Sequence, residues 1–389
     1  MTHPSRTLAA STVYPTSSAP SLANAQLSLT ELMTQIDWQW GKVIRVTGSG
    51  TKTLTGTKSQ TLGLDGNTLV IVESMSGTIT LQLPLADDLC NASGEGAAVC
   101  IVRRDSTSNT LTVSCQGSDK IDAVTNWTSV PLAADGDRVM LRPTEADTFV
   151  VVASAIAPVR ERVTATNASY SVPAGCRVIR FKYVEGAGGG SGGVDGQASS
   201  NFNGASGGGG AGAHSELDLD VRTLSTVSVT IGAAGTAGTA GANDGGDGGD
   251  TIISWSAGAS TVTSGGGKGG KGVTAANGAV ARGGAGGTTA TSGSMTLATG
   301  LVQSAGAPGG QGICLPSTSG AVVSGAGGSG LLGGGGRSET AAGTVGTAGT
   351  GYGAGAGGST ATNNTATNVA GQAGQAGAVV LEKHFLRAP

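Results

Sequence analysis

Residues 232–241 read GAAGTAGTAG, with glycine at Gly232, Gly235, Gly238 and Gly241. The same beat of three returns at Gly343, Gly346 and Gly349, and at Gly371, Gly374 and Gly377. It also fits Gly186, Gly189 and Gly192, and Gly204, Gly207 and Gly210. Three residues per turn is the period of the extended, left-handed polyproline-II type of helix. A glycine on one edge of such a helix lets a neighbouring backbone approach closely, because no Cβ intervenes. A bundle of these helices satisfies its peptide groups through N–H···O bonds and Cα–H···O contacts between helices. The expectation is a scaffold whose core is backbone, with little side-chain packing.

The beat belongs to one half of the chain. Of 71 glycines, 59 lie in residues 186–389 of a 389-residue chain. That composition also admits a disordered half, but low charge and frequent short apolar runs argue against disorder. Charged residues make up 12% and aromatics 3%, low for an ordinary enzyme, and the net charge of −3 provides no basic field for nucleic acid or an anionic membrane. The five cysteines, Cys90, Cys100, Cys115, Cys176 and Cys314, are odd in number and show no CxxC spacing. A disulfide framework or zinc site is therefore not expected, and free thiols fit a chain made in a reducing cytoplasm. Residues 1–20 lack an apolar core of the secretory kind.

Four regions follow. Residues 1–42 read as an extended arm and a short helix, with Ser28 and Glu31 in capping-box spacing and Gly41 as its stop. That helix packs either in a three-fold bundle of copies or on a local core. Residues 43–153 read as a β-sandwich-like module, with short β-branched runs at 68–73, 77–83, 97–103, 109–114, 138–141 and 148–152. Residues 154–165, with Pro158 and three charges, read as a linker. Residues 166–389 form the glycine-rich domain. Within it, residues 215–231 read as a hairpin, and Ala378–Phe385 as a strand suited to pair with residues 178–184. That pairing would clamp the glycine helices between first and last strands.

Two stretches resemble known families. Residues 77–152, with GTITLQLPL, NTLTVS and the closing DRVMLRPTEADTFVVV, resemble a β-module of bacteriophage tail fibres. The series VPAGCRVIRFKYVEGAGGGSGG, VTIGAAGTAGTAG, GGDGGDTI and GQAGQAGAVVLEKHF resembles the glycine-rich domain at tail-fibre tips. The resemblance implies a mainly β homotrimeric fibre with an N-terminal virion anchor and a receptor-binding tip of stacked polyglycine-II helices. It further implies a virion protein made in the host cytoplasm. Its partners would be a tail or baseplate protein and a host surface glycan or outer-membrane protein, with no nucleic acid and no cofactor.

Binding needs side chains, so the interruptions of the glycine pattern are the candidate receptor contacts. The selected residues are Asn201, Phe202, Asn203, Leu331, Leu332, Tyr352, Asn363 and Asn364, with 297–303 and 313–316 as further stretches. Aromatics flanked by Asn combine a flat apolar face with polar handles. Trp255 reads as core, Phe202 and Tyr352 as exposed. GGDGGDTI at 245–252 fits a calcium nonapeptide, with Asp244, Asp247 and Asp250 as oxygen donors. One copy leaves such a site incomplete, and a turn into a strand is the alternative. No catalytic motif is present, so an enzyme is not expected. Asp218 and Asp220, two apart on a strand, are the carboxylate pair that a depolymerase would need.

Overall fold

The computed structural model describes residues 42–54, 68–89, 98–121, 127–145, 147–173, 175–197, 202–256, 258–276, 278–315, 321–341, 343–361 and 367–385. The arm and helix read in residues 1–41 lie outside them. The chain divides into two compact units, Met1–Ile156 with Arg387–Pro389, and Ala157–Leu386.

In the first unit, hydrogen bonds join eight strands into one sheet, where the sequence suggested a sandwich-like module. The order is Lys120–Ile121, Thr148–Ala155, Arg138–Glu145, Val99–Arg104, Thr68–Gln82, Leu111–Ser114, Ser129–Leu132, with Lys42–Thr53 also on Thr68–Gln82. The runs read separately at 68–73 and 77–83 are one 15-residue strand. Its first half pairs in parallel with Val99–Arg104 and its second half with Leu111–Ser114. Ser74, with φ of 52°, and bulges opposite Gly48 and Gly50 break the ladder between the halves. Lys42–Thr53 was invisible in the sequence because glycines interrupt its apolar alternation.

Alternation places Ile79, Leu81, Ile101, Leu111, Val113 and Phe149 in a fully buried core. Arg103 is also fully buried. Its guanidinium donates to the carbonyls of Asp105, Leu132, Ala133 and Thr107 at 2.5–3.1 Å. Buried Asp105, Asp119 and Asp137 accept the backbone amides of Met75, Ala86 and Ala133 at 2.6–2.7 Å. One charge and three carboxylates thus satisfy backbone groups that the loops would otherwise bury unpaired.

The second unit opens with two five-stranded sheets. One runs Ala298–Ser304, His214–Asp220, Cys176–Glu185, Ala378–Phe385, Val159–Val163; the other runs Asn167–Ser171, Thr226–Thr230, Thr251–Trp255, Ser260–Ser264, Thr289–Ser292. Thr251–Trp255 packs on Cys176–Glu185 and Ser260–Ser264 on His214–Asp220. Between the sheets lie Ile179, Phe181, Leu217, Leu219, Val227, Val229, Ile253, Trp255 and Leu381, all buried. The expected pairing of first and last strands is present, with Ile179 opposite Lys383 and Glu185 opposite Ala378.

Two expectations are corrected. Val159–Val163, read as linker, is an edge strand on Ala378–Phe385, held by Arg160–Glu382 at 2.7 Å. Its charges mark an edge facing solvent, which the sequence reading took for a linker. Residues 215–231 do not form a hairpin: His214–Asp220 and Thr226–Thr230 belong to different sheets. Val221 turns inward, its amide donating to the carbonyl of Arg177 at 2.9 Å. Apolar residues on both strands then line the facing inner surfaces of two layers.

From these sheets the chain runs into a bundle of extended segments. Residues 186–194 donate in rotation to three neighbours: Gly188 to Gln375, Gly189 to Gly210, Gly190 to Gly246, then Ser191 to Gln372, Gly192 to Gly207, Gly193 to Asn243. Three more neighbours donate back, through Gly235 to Gly188, Gly267 to Ala187, and Ala356 to Gly189. Six segments therefore surround 186–194. Segments 206–213 and 353–360 have the same environment, and all three are buried along their length. Among the described residues a ring encloses them: 232–241, 243–250, 265–272, 282–288, 306–312, 324–330, 333–339, 344–350 and 369–377.

Glycine spacing follows from this geometry. A Cβ on Gly190, in a central segment, would overlap the carbonyl of Thr236. In the ring, only every third residue faces inward. Gly235 abuts the backbone at Gly189 and Gly190, while Ala233, Thr236 and Thr239 face solvent.

Candidate binding surface

The two ends of the bundle differ. At one end the segments continue into the two sheets, as where Glu185 leads to Gly186. At the other lie connecting residues between segments, described at 195–197, 202–203, 274–276, 278–281, 313–315, 321–323 and 367–369. Interior residues of the bundle offer only backbone, already paired, whereas these connections carry side chains.

Two of these connections build a small sheet of Val280–Ala281, Gly312–Cys314 and Val322–Val323. In register across it stand Val280, Ile313 and Val323. They are 54%, 42% and 44% exposed, with Leu315 beside them at 54%. Strand alternation sends their neighbours inward, so Cys314 and Val322 join Ala205 in a buried cluster. The Cys314 thiol donates to the carbonyl of Asn203 at 3.0 Å. Burial pushes that thiol up, so it stays protonated. A second cluster, Val194, Ala361 and Val369 with Val273 against it, anchors the adjoining connections. The result is an apolar, β-branched ladder on a rigid base, able to bury side chains of a partner.

The residues selected from the sequence do not converge. Phe202 lies at this end but is half-buried. Asn203 is buried, and its Oδ1 has no hydrogen-bond partner among the described residues. Asn201, Asn363 and Asn364 lie outside the described residues. Leu331, Leu332 and Tyr352 sit at the opposite end, against the sheets. The Leu331 amide donates to Glu185 Oε1 at 2.9 Å, although its side chain is 59% exposed. Tyr352, read as exposed, is half-buried beneath the Arg162 guanidinium, 5.6 Å from its ring centroid. Trp255 is core, as read. Val280 and Val323 were missed; the available signal was β-branched residues in the short connections between glycine-rich segments.

GGDGGDTI lies along segment 243–250. Asp244, Asp247 and Asp250 accept the amides of Gly272, Gly269 and Gly266, each at 2.9 Å. Lys271 and Lys268 close ion pairs with Asp244 and Asp247 at 2.6 and 2.9 Å. Burial pushes the Asp244 and Asp247 carboxyls up, but the lysines and amides outweigh it and hold them below the ordinary range. The three carboxylates form a ladder stapling two segments and do not converge on a point. Asp218 and Asp220 likewise face separate partners, Arg180 at 2.7 Å and Arg222 at 2.6 Å.

Sheets, bundle and terminal strand form one sequence block, and residues 163–383 match the family model described as glycine-rich domain. The chain belongs to the glycine-rich domain family. No curated protein matches it. The glycine-rich domain thus spans the bundle and both sheets apart from residues 159–162 of the edge strand, ending inside Ala378–Phe385.

Proposed function

We propose that the protein is a bacteriophage tail fibre that binds a host surface receptor during adsorption. The observation that carries this reading is the division of labour in the glycine-rich domain: a paired backbone interior, and side chains presented on connections at one end. The segments are polyglycine-II helices, a reading supported by donor directions that repeat every third residue. The fibre is a homotrimer in the virion. Residues 1–42 dock on a tail or baseplate protein, and the connections at the free end of the bundle meet a host glycan or outer-membrane protein. Three copies raise weak single contacts to useful avidity. The ladder of Val280, Ile313 and Val323 replaces Leu331, Leu332 and Tyr352 as the expected contact.

The test is binding of fluorescent full-length protein to a panel of bacterial strains, with and without their surface polysaccharide. Saturable binding to particular strains supports the reading, and its loss on stripping identifies a glycan. A folded protein that binds no strain points instead to a structural tail or collar component. Release of oligosaccharide from the cells would point to a depolymerase.

A further inference from the structure

Where the sheets meet the bundle, a carboxylate is wholly buried. Glu185, at the end of Cys176–Glu185, has no exposed surface. Its Oε1 accepts the Leu331 amide at 2.9 Å, and its Oε2 lies 3.2 Å from His214 Nδ1. His214 Nε2 lies 3.2 Å from Glu216 Oε1. Gly330 and Gly353 abut the Glu185 side chain, so the bundle brings only backbone and glycine to it. The Tyr183 ring flanks His214, with centroids 5.7 Å apart. The charged groups facing the imidazole are therefore Glu185, from the neighbouring strand, and Glu216, from its own.

Both ring nitrogens face carboxylates, which accept and do not donate when ionised. With both carboxylates in that form, each nitrogen carries a proton and the ring is an imidazolium. Burial opposes that charge, but the two carboxylates outweigh it and raise the His214 pKa above the ordinary imidazole value. Loss of the proton leaves one nitrogen lone pair against a carboxylate. Glu216 is partly exposed and can turn to water, whereas Glu185 cannot. A buried carboxylate without its counter-charge is costly, and rearrangement of its surroundings relieves it.

We propose that Glu185, His214 and Glu216 form a protonation-dependent clamp that holds the Leu331–Leu332 turn of the bundle against the sheets and loosens it at alkaline pH. The clamp acts at the end of the bundle opposite the apolar ladder and is independent of what that ladder binds. The sign follows from linkage: a raised folded pKa gives stabilisation that is complete below the unfolded histidine pKa and lost as pH rises through the folded one.

The experiment is hydrogen–deuterium exchange of the full chain between pH 6 and 10, expressed as protection relative to intrinsic rates. Peptides covering 328–334 are compared with the central segment 206–213. Protection at 328–334 is expected to fall at least tenfold across the range while 206–213 stays constant. Glu185→Gln retains an acceptor for the Leu331 amide without the buried charge, and its profile is expected to be flat. His214→Gln removes the titrating ring and should also be flat, with lower protection throughout. A pH-independent wild-type profile overturns the proposal, as does a Glu185→Gln profile that follows the wild type. Where neither variant folds, the wild-type comparison of the two peptides decides.

Discussion

The Gly209 amide donates to the carbonyl of Ala356 at 2.8 Å, joining two central segments far apart in the chain. Ala356 in turn donates to Gly189 at 3.1 Å, and Gly189 to Gly210 at 2.8 Å. Three backbones thus close a triangle at the centre of the bundle.

Substitution there should be severe. A Cβ on Gly209 would overlap the Gly189 carbonyl, and neither partner is a side chain that can move aside. Gly209→Ala is expected to cost about 3 kcal/mol or more, the upper range for overpacking. Ala373→Ser, on a solvent-facing ring position, should stay within about 0.5 kcal/mol. Denaturant unfolding of both variants makes the comparison.

The two units should respond separately to core truncation. Phe149 and Trp255 are both buried, one in each unit. Each changed to alanine is expected to cost about 3–5 kcal/mol within its own unit. Limited proteolysis with fragment mapping should show Phe149→Ala exposing sites before residue 156 and Trp255→Ala exposing sites after it.

The aspartate ladder predicts an asymmetry. Lys268→Ala removes one exposed ion pair, worth about 0–1 kcal/mol and screened by salt. Asp247→Ala also leaves the Gly269 amide without its partner, adding about 1 kcal/mol. Millimolar calcium should leave the melting temperature unchanged, because each carboxylate is already committed to an amide.

Acid should weaken the first unit through Asp105. The Thr107 hydroxyl and the Met75 amide hold its carboxyl below the ordinary value. A depressed folded pKa gives stabilisation present above the unfolded value of about 3.9 and lost as pH falls through the folded one. Asp105→Asn should flatten the decline in unfolding midpoint between pH 5 and pH 2.

Thiol chemistry offers a separate check on burial. Burial pushes Cys115 and Cys176 up to about 12. Neither should react with a thiol-specific reagent at pH 8 until denaturant is added.

Much of this was legible in the sequence because glycine density reports depth. Residues 186–193 (GAGGGSGG) touch neighbours on every side, and residues 232–241 keep one glycine in three for a single inward edge. Pairing of the first and last strands was equally readable from matching apolar runs. The partners of each segment were not. Gly189 meets Gly210 through backbone alone, and glycine carries no side chain to specify which segment lies beside it. For the same reason the turns could not be assigned to one end or the other, so Leu331 and Tyr352 were grouped with Phe202. The false hairpin at 215–231 arose because alternation records which face is buried but not which sheet buries it.

The most direct test of receptor binding is a comparison of two surface variants on a susceptible strain. Ile313→Asp alters the apolar ladder, and Ala373→Asp places the same charge on the flank of the bundle. Cell-bound fluorescence should fall at least tenfold for Ile313→Asp and remain at the wild-type level for Ala373→Asp. Undiminished binding by a folded Ile313→Asp protein would contradict the assignment of that end of the bundle to the receptor.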